Sequence, residues 1–342
     1  MQILTEEEAA VYDRQIRLWG VEAQQRLRNA KILVVGLSSL GNEVCKNILL
    51  AGIHHMTMLD DTILSKEDFN YQFMTNDEKI GINKAEAYLA RCKELNPMVD
   101  IVIDKDPVTC KSDSFFSKYD LVCMTSGSEQ DQLKINEICH RLGIKFICGG
   151  IFGFYGYIFS DLTSSHVYTE EKPKIVEAVI GNLKKENSEC TDPDYEEKET
   201  SFCSLSEALS VPLFEGKSLR QAKQISKVYL VMRVMFEYHT KYKTYPTEIK
   251  SSHEIEQLLE VRNEVFEKLK IDNDLLSDDF PSLVSCILYP VNAVVGGVLS
   301  QEVIKAVSGR DAPHNNFFFY DAHATSGVVE YISPKNLTLN NR

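Results

Sequence analysis

The sequence predicts an α/β protein built on a doubly wound, mostly parallel sheet that carries a mainly helical insertion. Three observations predict it. Residues 31–61, KILVVGLSSLGNEVCKNILLAGIHHMTMLDD, spell a complete strand–loop–helix–strand unit. Strand-like runs at 99–103, 120–124 and 145–148 then alternate with helical text from about 83 to 96 and from 131 to 142, the order that produces parallel strands joined by right-handed crossovers. After a stretch of different composition, α/β text returns beyond Pro290 with strands at 316–320 and 327–332. The sheet opened near residue 31 is therefore expected to close near 332.

The chain begins with Thr5 three residues ahead of Glu8, a capping box that opens a helix reaching about Ala30 and broken or bent near Gly20. Tyr12, Ile16 and Trp19 lie at i, i+4 and i+7 and make one apolar stripe, which turns Arg14 away from it. Arg14 and Arg17 on a solvated face, with Asp13 as a loose partner, have no function by themselves. The strand at 32–35 enters a loop at 36–41 and then a helix from about Asn42. In nucleotide-binding units the loop glycines bring backbone N–H groups to phosphate at a helix N-terminus, and an acid some twenty residues on binds ribose. Gly36 and Gly41 hold the outer places of G-x-G-x-x-G and Asp60 holds the acidic one, but Ser38 stands at the middle. Two readings stay open: a nucleotide loop with blunted phosphate contact, or a tight strand-to-helix turn.

Residues 62–78 read as a polar loop containing NYQF at 70–73, and the following helix stops at Asn96-Pro97. Residues 149–162 predict antiparallel strands turning at Gly156. From 169 to 201 the composition shifts to Glu, Lys, Asp and Ser with few large apolar residues, the signature of a solvated linker. Two amphipathic helices follow at 221–240 and 253–270, the second burying Ile255, Leu258, Leu259, Val265, Phe266 and Leu269. The Gly296-Gly297 pair in the last helix weakens it and makes sense where another backbone packs closely. The expected division is 1–162 for the first part of the sheet domain, 163–215 for a flexible acidic linker, 216–285 for the helical insertion and 286–342 for completion of the domain.

Fifty acidic residues against 37 basic ones leave a formal charge of −13. With no basic cluster, this excludes a nucleic-acid binder. No apolar run is long enough to span a bilayer, and the first residues lack the basic start of a signal peptide, which points to a chain that works inside the cell. Nine cysteines, scattered and never C-x-x-C, indicate reduced thiols without a disulfide framework or zinc site. Cys110 and Cys190 have no recognisable base beside them and read as inert.

Several separated strings then resemble one family. They are YDRQIRLWG at 12–20, the loop unit ending in LDD, NYQF, the text from Ile80 to Pro97, the strand–helix–strand at 120–150 and AVVGGVLSQEVIKAVSGRDAPHNNFFFYDA at 293–322. Together they are similar to the adenylating half-domains of the enzymes that activate ubiquitin-like proteins, most closely those of the smaller subunit acting on SUMO. The resemblance covers most of the chain and is most specific in its first and last strings. It implies a Rossmann-like sheet of the ThiF/MoeB-type adenylation fold. It also implies a two-step ligase in which ATP and the modifier's C-terminal glycine form an acyl-adenylate, and the acyl group then passes to a cysteine as a thioester.

The family pairs two related half-domains of which one completes the ATP site, and the residues here match the other. Ser38 replaces the middle glycine. The motif N-x-x-R-Q becomes Asp68-Phe69-Asn70-Tyr71-Gln72, so an anion is added at 68 and a cation lost at 71. Gly127 stands near the place of the magnesium-holding Asp. Asp60 and Lys84 do match the ribose acid and the phosphate lysine, but without the arginine and magnesium nothing neutralises developing pyrophosphate charge. Gly36, Ser38, Gly41, Asp60 and Lys84 are thus expected to line a degenerate pocket, with no metal ligand. The family's cysteine domain is absent. Arg14 matches the arginine that the helper half donates across the dimer to the partner's ATP phosphates, an arginine finger in trans, and Arg17 would pair across the same interface. The resemblance therefore implies a chain inactive alone, ATP and magnesium held mainly by a larger catalytic subunit of the heterodimer, SUMO as substrate, and a nuclear location. Other readings are a helper for another modifier, a stand-alone adenylating enzyme, a nicotinamide-dependent oxidoreductase and a scaffold without chemistry.

Overall fold

The computed structural model describes residues 4–69, 73–172, 195–246 and 251–334. The N-terminal helical text forms three short helices, α1 (Glu6–Val11), α2 (Asp13–Trp19) and α3 (Val21–Leu27), broken at Tyr12 as well as at Gly20. The Thr5/Glu8 capping box is present at the start of α1. Next come β1 (Lys31–Val35), α4 (Ser39–Leu50), β2 (His55–Leu59), a helical turn α5 (Lys66–Phe69) inside the expected loop, α6 (Lys84–Leu95), β3 (Asp100–Asp104), α7 (Asp113–Phe116), β4 (Leu121–Met124) and α8 (Glu129–Leu142). Strands β5 (Lys145–Phe152), β6 (Tyr155–Asp161), β7 (His166–Glu171) and β8 (Tyr195–Thr200) precede the helical region of α9 (Leu205–Ser210), α10 (Leu219–Ala222), α11 (Lys227–Tyr242), α12 (Ser252–Leu269) and α13 (Phe280–Val284). The long α14 (Tyr289–Ser308) and strands β9 (Phe317–Asp321) and β10 (Ser326–Glu330) finish the domain.

The eight-stranded sheet has the order β10-β9-β6-β5-β4-β1-β2-β3, with β3, β2, β1, β4 and β5 parallel and the other three antiparallel. Strand alternation splits β1 between two cores. Ile32 and Val34 pack with α4, α6 and α14, whereas Leu33 and Val35 face the layer containing α8 and α11. Each such aliphatic side chain, fully buried, contributes about 1.5–3 kcal/mol. Strand order reverses between β2–β1 and β1–β4, which places a crevice beyond the carboxyl ends of β1 and β4, where open α/β sheets bind ligands.

Several expectations are corrected. Helix α4 starts at Ser39 and not near Asn42, because the Ser38 side chain caps it by accepting from the Gly41 N–H at 3.4 Å. The β5–β6 hairpin turns at Gly153, whose φ is +57°, and not at Gly156. Gly156 lies inside β6, where a Cβ would sit 2.6 Å from Val295 Cγ2 on α14. The expected linker at 163–215 contains β7, β8 and α9. Lys198 on β8 reaches across the ribbon to Glu170 on β7 at 3.0 Å and along its own strand to Glu196 at 2.7 Å, and β7 hooks onto the Gly309 carbonyl through the Thr169 N–H at 2.9 Å. Composition cannot register such cross-strand pairing. In the insertion the first helix divides into α10 and α11, the latter capped by Ser226. Ile255 is exposed on α12 while Leu258, Val265 and Phe266 are buried. A Cβ on Gly296 would lie 2.6 Å from Glu43 Cβ on α4, but Gly297 faces open space. Cys190 and the 173–194 segment lie outside the described residues.

Candidate functional site

A cavity of about 310 Å³ occupies the crevice, lined among others by Ser38, Ser39, Asp68, Ser126, Tyr157 and Asn292. Its loop is shaped by contacts with neighbouring strands and helices. Gly36 has φ +88°, and a Cβ there would fall 1.9 Å from Ser126 Oγ. A Cβ on Gly41 would fall 2.2 Å from the Gly36 carbonyl oxygen, which also accepts from Thr125 Oγ1 at 2.7 Å. Both glycines are therefore required by the packing of the turn.

The side chains matching nucleotide ligands are engaged internally. Asp60 is buried, one carboxylate oxygen accepting from the Leu37 N–H at 2.6 Å and the other from the Thr62 N–H and hydroxyl at 2.8 and 2.6 Å. A ribose would have to displace these bonds. Lys84, at the first turn of α6, gives its ammonium to Asp68 at 3.0 Å. Asp68 also caps α5 with Ser65, whose N–H and hydroxyl donate at 3.0 and 2.9 Å. The acidic replacement at 68 thus does more than repel an anion, since it also consumes the retained lysine. Among the described residues Asp68 is the sole charged residue of this cavity's wall, and the neighbouring cavity lined by Gly36 and Asp60 adds only the carboxylates of Asp61 and Asp131, so neither wall offers a cation to phosphate.

Gly127 has φ +108° and offers no ligand, and the nearby Asp131 is bound to Ser128 in the capping box of α8. No cluster of three or more His, Cys, Asp or Glu suited to a metal occurs among the described residues. This donor set does not fit a magnesium–triphosphate group. Tyr71 lies outside the described residues. The eight described cysteines are free, and burial pushes the thiols of Cys92 and Cys139 up to about 12 and raises Cys203 and Cys286. Cys110 is exposed.

Arg14 sits elsewhere. Helix α2 packs at the C-terminal end of α4, where Gln15 Nε2 donates to the Leu50 carbonyl at 2.9 Å and the buried Tyr12 hydroxyl accepts from Asn96 Nδ2 at 2.8 Å. The twelve residues of α4 separate this end from Ser38 by about 18 Å at 1.5 Å per residue, beyond the reach of one side chain. Arg14 is exposed and has no hydrogen-bond or ion-pair partner among the described residues. Arg17 pairs with Asp13 of its own helix at 3.0 Å, with both side chains solvated. Val11 and Leu18, three residues before and four after Arg14 in the sequence, are exposed apolar residues, as are Val21 and Leu50. Sequence reasoning missed the role of Asp68 toward Lys84 and the amides of Gln15, Gln24 and Asn96 at the far end of α4. Sixteen and more residues separate these groups from their partners, so no local signal marks them.

No helix among the described residues is long and apolar enough to cross a membrane. The ThiF family model matches residues 12–338. The chain is 42% identical over 337 residues to the rat (Rattus norvegicus) SUMO-activating enzyme subunit 1, covering 97% of this chain and 96% of that one. It is 43% identical over 332 residues to the mouse (Mus musculus) protein of the same name, covering 96% and 95%. Among solved structures, E. coli MccB with MccA-N7isoASN superposes with a TM-score of 0.55 at 13% identity over 95% of this chain and 72% of that chain, a likeness of fold alone. The match along nearly the whole length, with the topology above, makes this chain a member of the ThiF family, alongside the subunit-1 chains of SUMO-activating enzymes.

Proposed function

We propose that this chain is the non-catalytic helper subunit of a heterodimeric SUMO-activating enzyme. In this reading the larger catalytic subunit binds ATP and magnesium, the C-terminal glycine of SUMO is adenylated with loss of pyrophosphate, and the acyl group passes to a cysteine of that subunit as a thioester. The chain works in the nucleus. Arg14 is its chemical contribution, donated in trans to the ATP phosphates of the partner. A guanidinium stays charged at any working pH and can make paired bonds to phosphate oxygens, so it neutralises charge as the pyrophosphate leaves. The observation that carries the reading is the exposed Arg14, unpartnered among the described residues and set at the opposite end of α4 from a pocket whose own ligand-type groups are already bonded. The exposed Val11 and Leu18, i−3 and i+4 from Arg14, suit a surface covered by another subunit.

The test is ATP–pyrophosphate exchange with SUMO, using this chain alone, a SUMO-activating catalytic subunit alone and the two mixed. Exchange is expected only in the mixture, and is expected to vanish when ubiquitin replaces SUMO. Exchange by this chain alone would overturn the helper reading and mean that Ser38, the Asp68–Lys84 pair and Gly127 leave the pocket competent. Exchange in the mixture with ubiquitin as readily as with SUMO would assign the chain to another modifier.

A further inference from the structure

Helix α2 has seven residues, no side-chain N-cap and no fully buried residue of its own. A helix this short does not hold itself in water, so its position is imposed from outside. The last carbonyls of a helix lack intrahelical partners, and α4 has no basic residue in its final turn. Those carbonyls are instead taken by side-chain amides. Leu49 O accepts from Asn96 Nδ2 at 2.7 Å, Leu50 O from Gln15 Nε2 at 2.9 Å, and Ala51 O from Gln24 Nε2 at 2.9 Å. The other N–H of Asn96 goes to the Tyr12 hydroxyl, and Gln24 Oε1 accepts from Trp19 Nε1 at 2.9 Å. Tyr12, Gln15 and Trp19 share the face of α2 turned to α4, while Arg14 projects from the opposite face. Gln15 Oε1 is buried without a partner, so the bond to Leu50 is the polar tie of that side chain.

We infer that Gln15, with Gln24 and Asn96, is a positioning residue for Arg14: the amides that close the end of α4 also set the height and rotation of the helix that presents the guanidinium to the partner. The inference rests on the trans role proposed for Arg14. A guanidinium acting on developing charge is sensitive to small displacements, and misplacement of about 1 Å can cost on the order of 100-fold.

The experiment uses the assembled heterodimer and measures kcat and the KM for ATP in pyrophosphate exchange. Gln15→Met keeps length and volume but cannot donate. Trp19→Phe, a second variant, keeps an aromatic ring but loses the pyrrole half of the indole and with it the tie to Gln24. In the Arg14 background Gln15→Met is expected to lower kcat roughly 10- to 100-fold with the KM for ATP within about two-fold, and Trp19→Phe is expected to act in the same direction more weakly. In an Arg14→Ala background neither variant is expected to cause further loss. An unchanged kcat for both variants, or equal losses in both backgrounds, would overturn the positioning role. Wild-type kcat for Arg14→Ala itself would instead remove the trans arginine on which it stands.

Discussion

At the N-terminal end of α4, the groups a nucleotide would need are turned to internal use: Ser38 caps the helix, Asp60 holds the loop N–H of Leu37, and Lys84 is paired with Asp68. At the C-terminal end the arrangement is reversed. There the helix carbonyls are closed by amides, and a strongly phosphate-philic side chain, Arg14, is left without a partner among the described residues. Both ends carry residue types common in phosphate sites. The difference between them teaches that residue type marks a candidate, while the destination of its hydrogen bonds decides whether it is available to a ligand.

The sharpest way to break this contrast is Arg14→Ala in the heterodimer. Adenylate formation is expected to slow by about 10³-fold, equivalent to about 4 kcal/mol, with heterodimer affinity unchanged; the fold of this chain should not suffer, because Arg14 has no bonding partner among the described residues. Pyrophosphate exchange and sedimentation of the complex check the two halves of that statement, and undiminished exchange would dissolve the contrast.

Gly41→Ala probes the other end. Its Cβ would meet the backbone oxygen of Gly36 at 2.2 Å, so a loss of roughly 2–3 kcal/mol is expected in the urea midpoint of the isolated chain. Wild-type stability would mean that the glycine serves phosphate approach and not packing. Asp68→Asn should release Lys84 and cost about 1 kcal/mol, yet leave exchange by the complex within about two-fold and the isolated chain still inactive. Exchange gained by the isolated chain would show that one carboxylate was all that silenced the pocket. Smallest and opposite in sign is Gly297→Ala, which meets no atom within 4 Å and should raise the stability of the isolated chain by about 1 kcal/mol through helix propensity. Gly296→Ala, beside Glu43, should lower it, and melting curves of the two variants provide the comparison.

Much of the fold was legible because its signals are local. The capping box at Thr5, the unbroken apolar run of β1 and the caps Asn83 and Gly143 of α6 and α8 all lie within a few residues of the structure they specify. Two of the misplaced features had non-local causes. Gly156 looks like a turn residue, but it is kept small by Val295 on a helix far along the chain, and the turn falls at Gly153. The charged stretch that reads as a linker has ends that pair as β7 and β8 through Lys198 and the Gly309 carbonyl.

By itself, the sequence determined that this protein has a doubly wound sheet with a nucleotide-type loop missing key ligands, because strand and helix periodicities and residue identities are properties of the chain alone. Only the tertiary structure decided that Asp68 consumes Lys84, that Asp60 is occupied by the loop it follows, and that three amides hold the helix bearing Arg14. Each of those bonds joins groups brought together by packing, and a polar group's availability is set by which neighbour packing supplies.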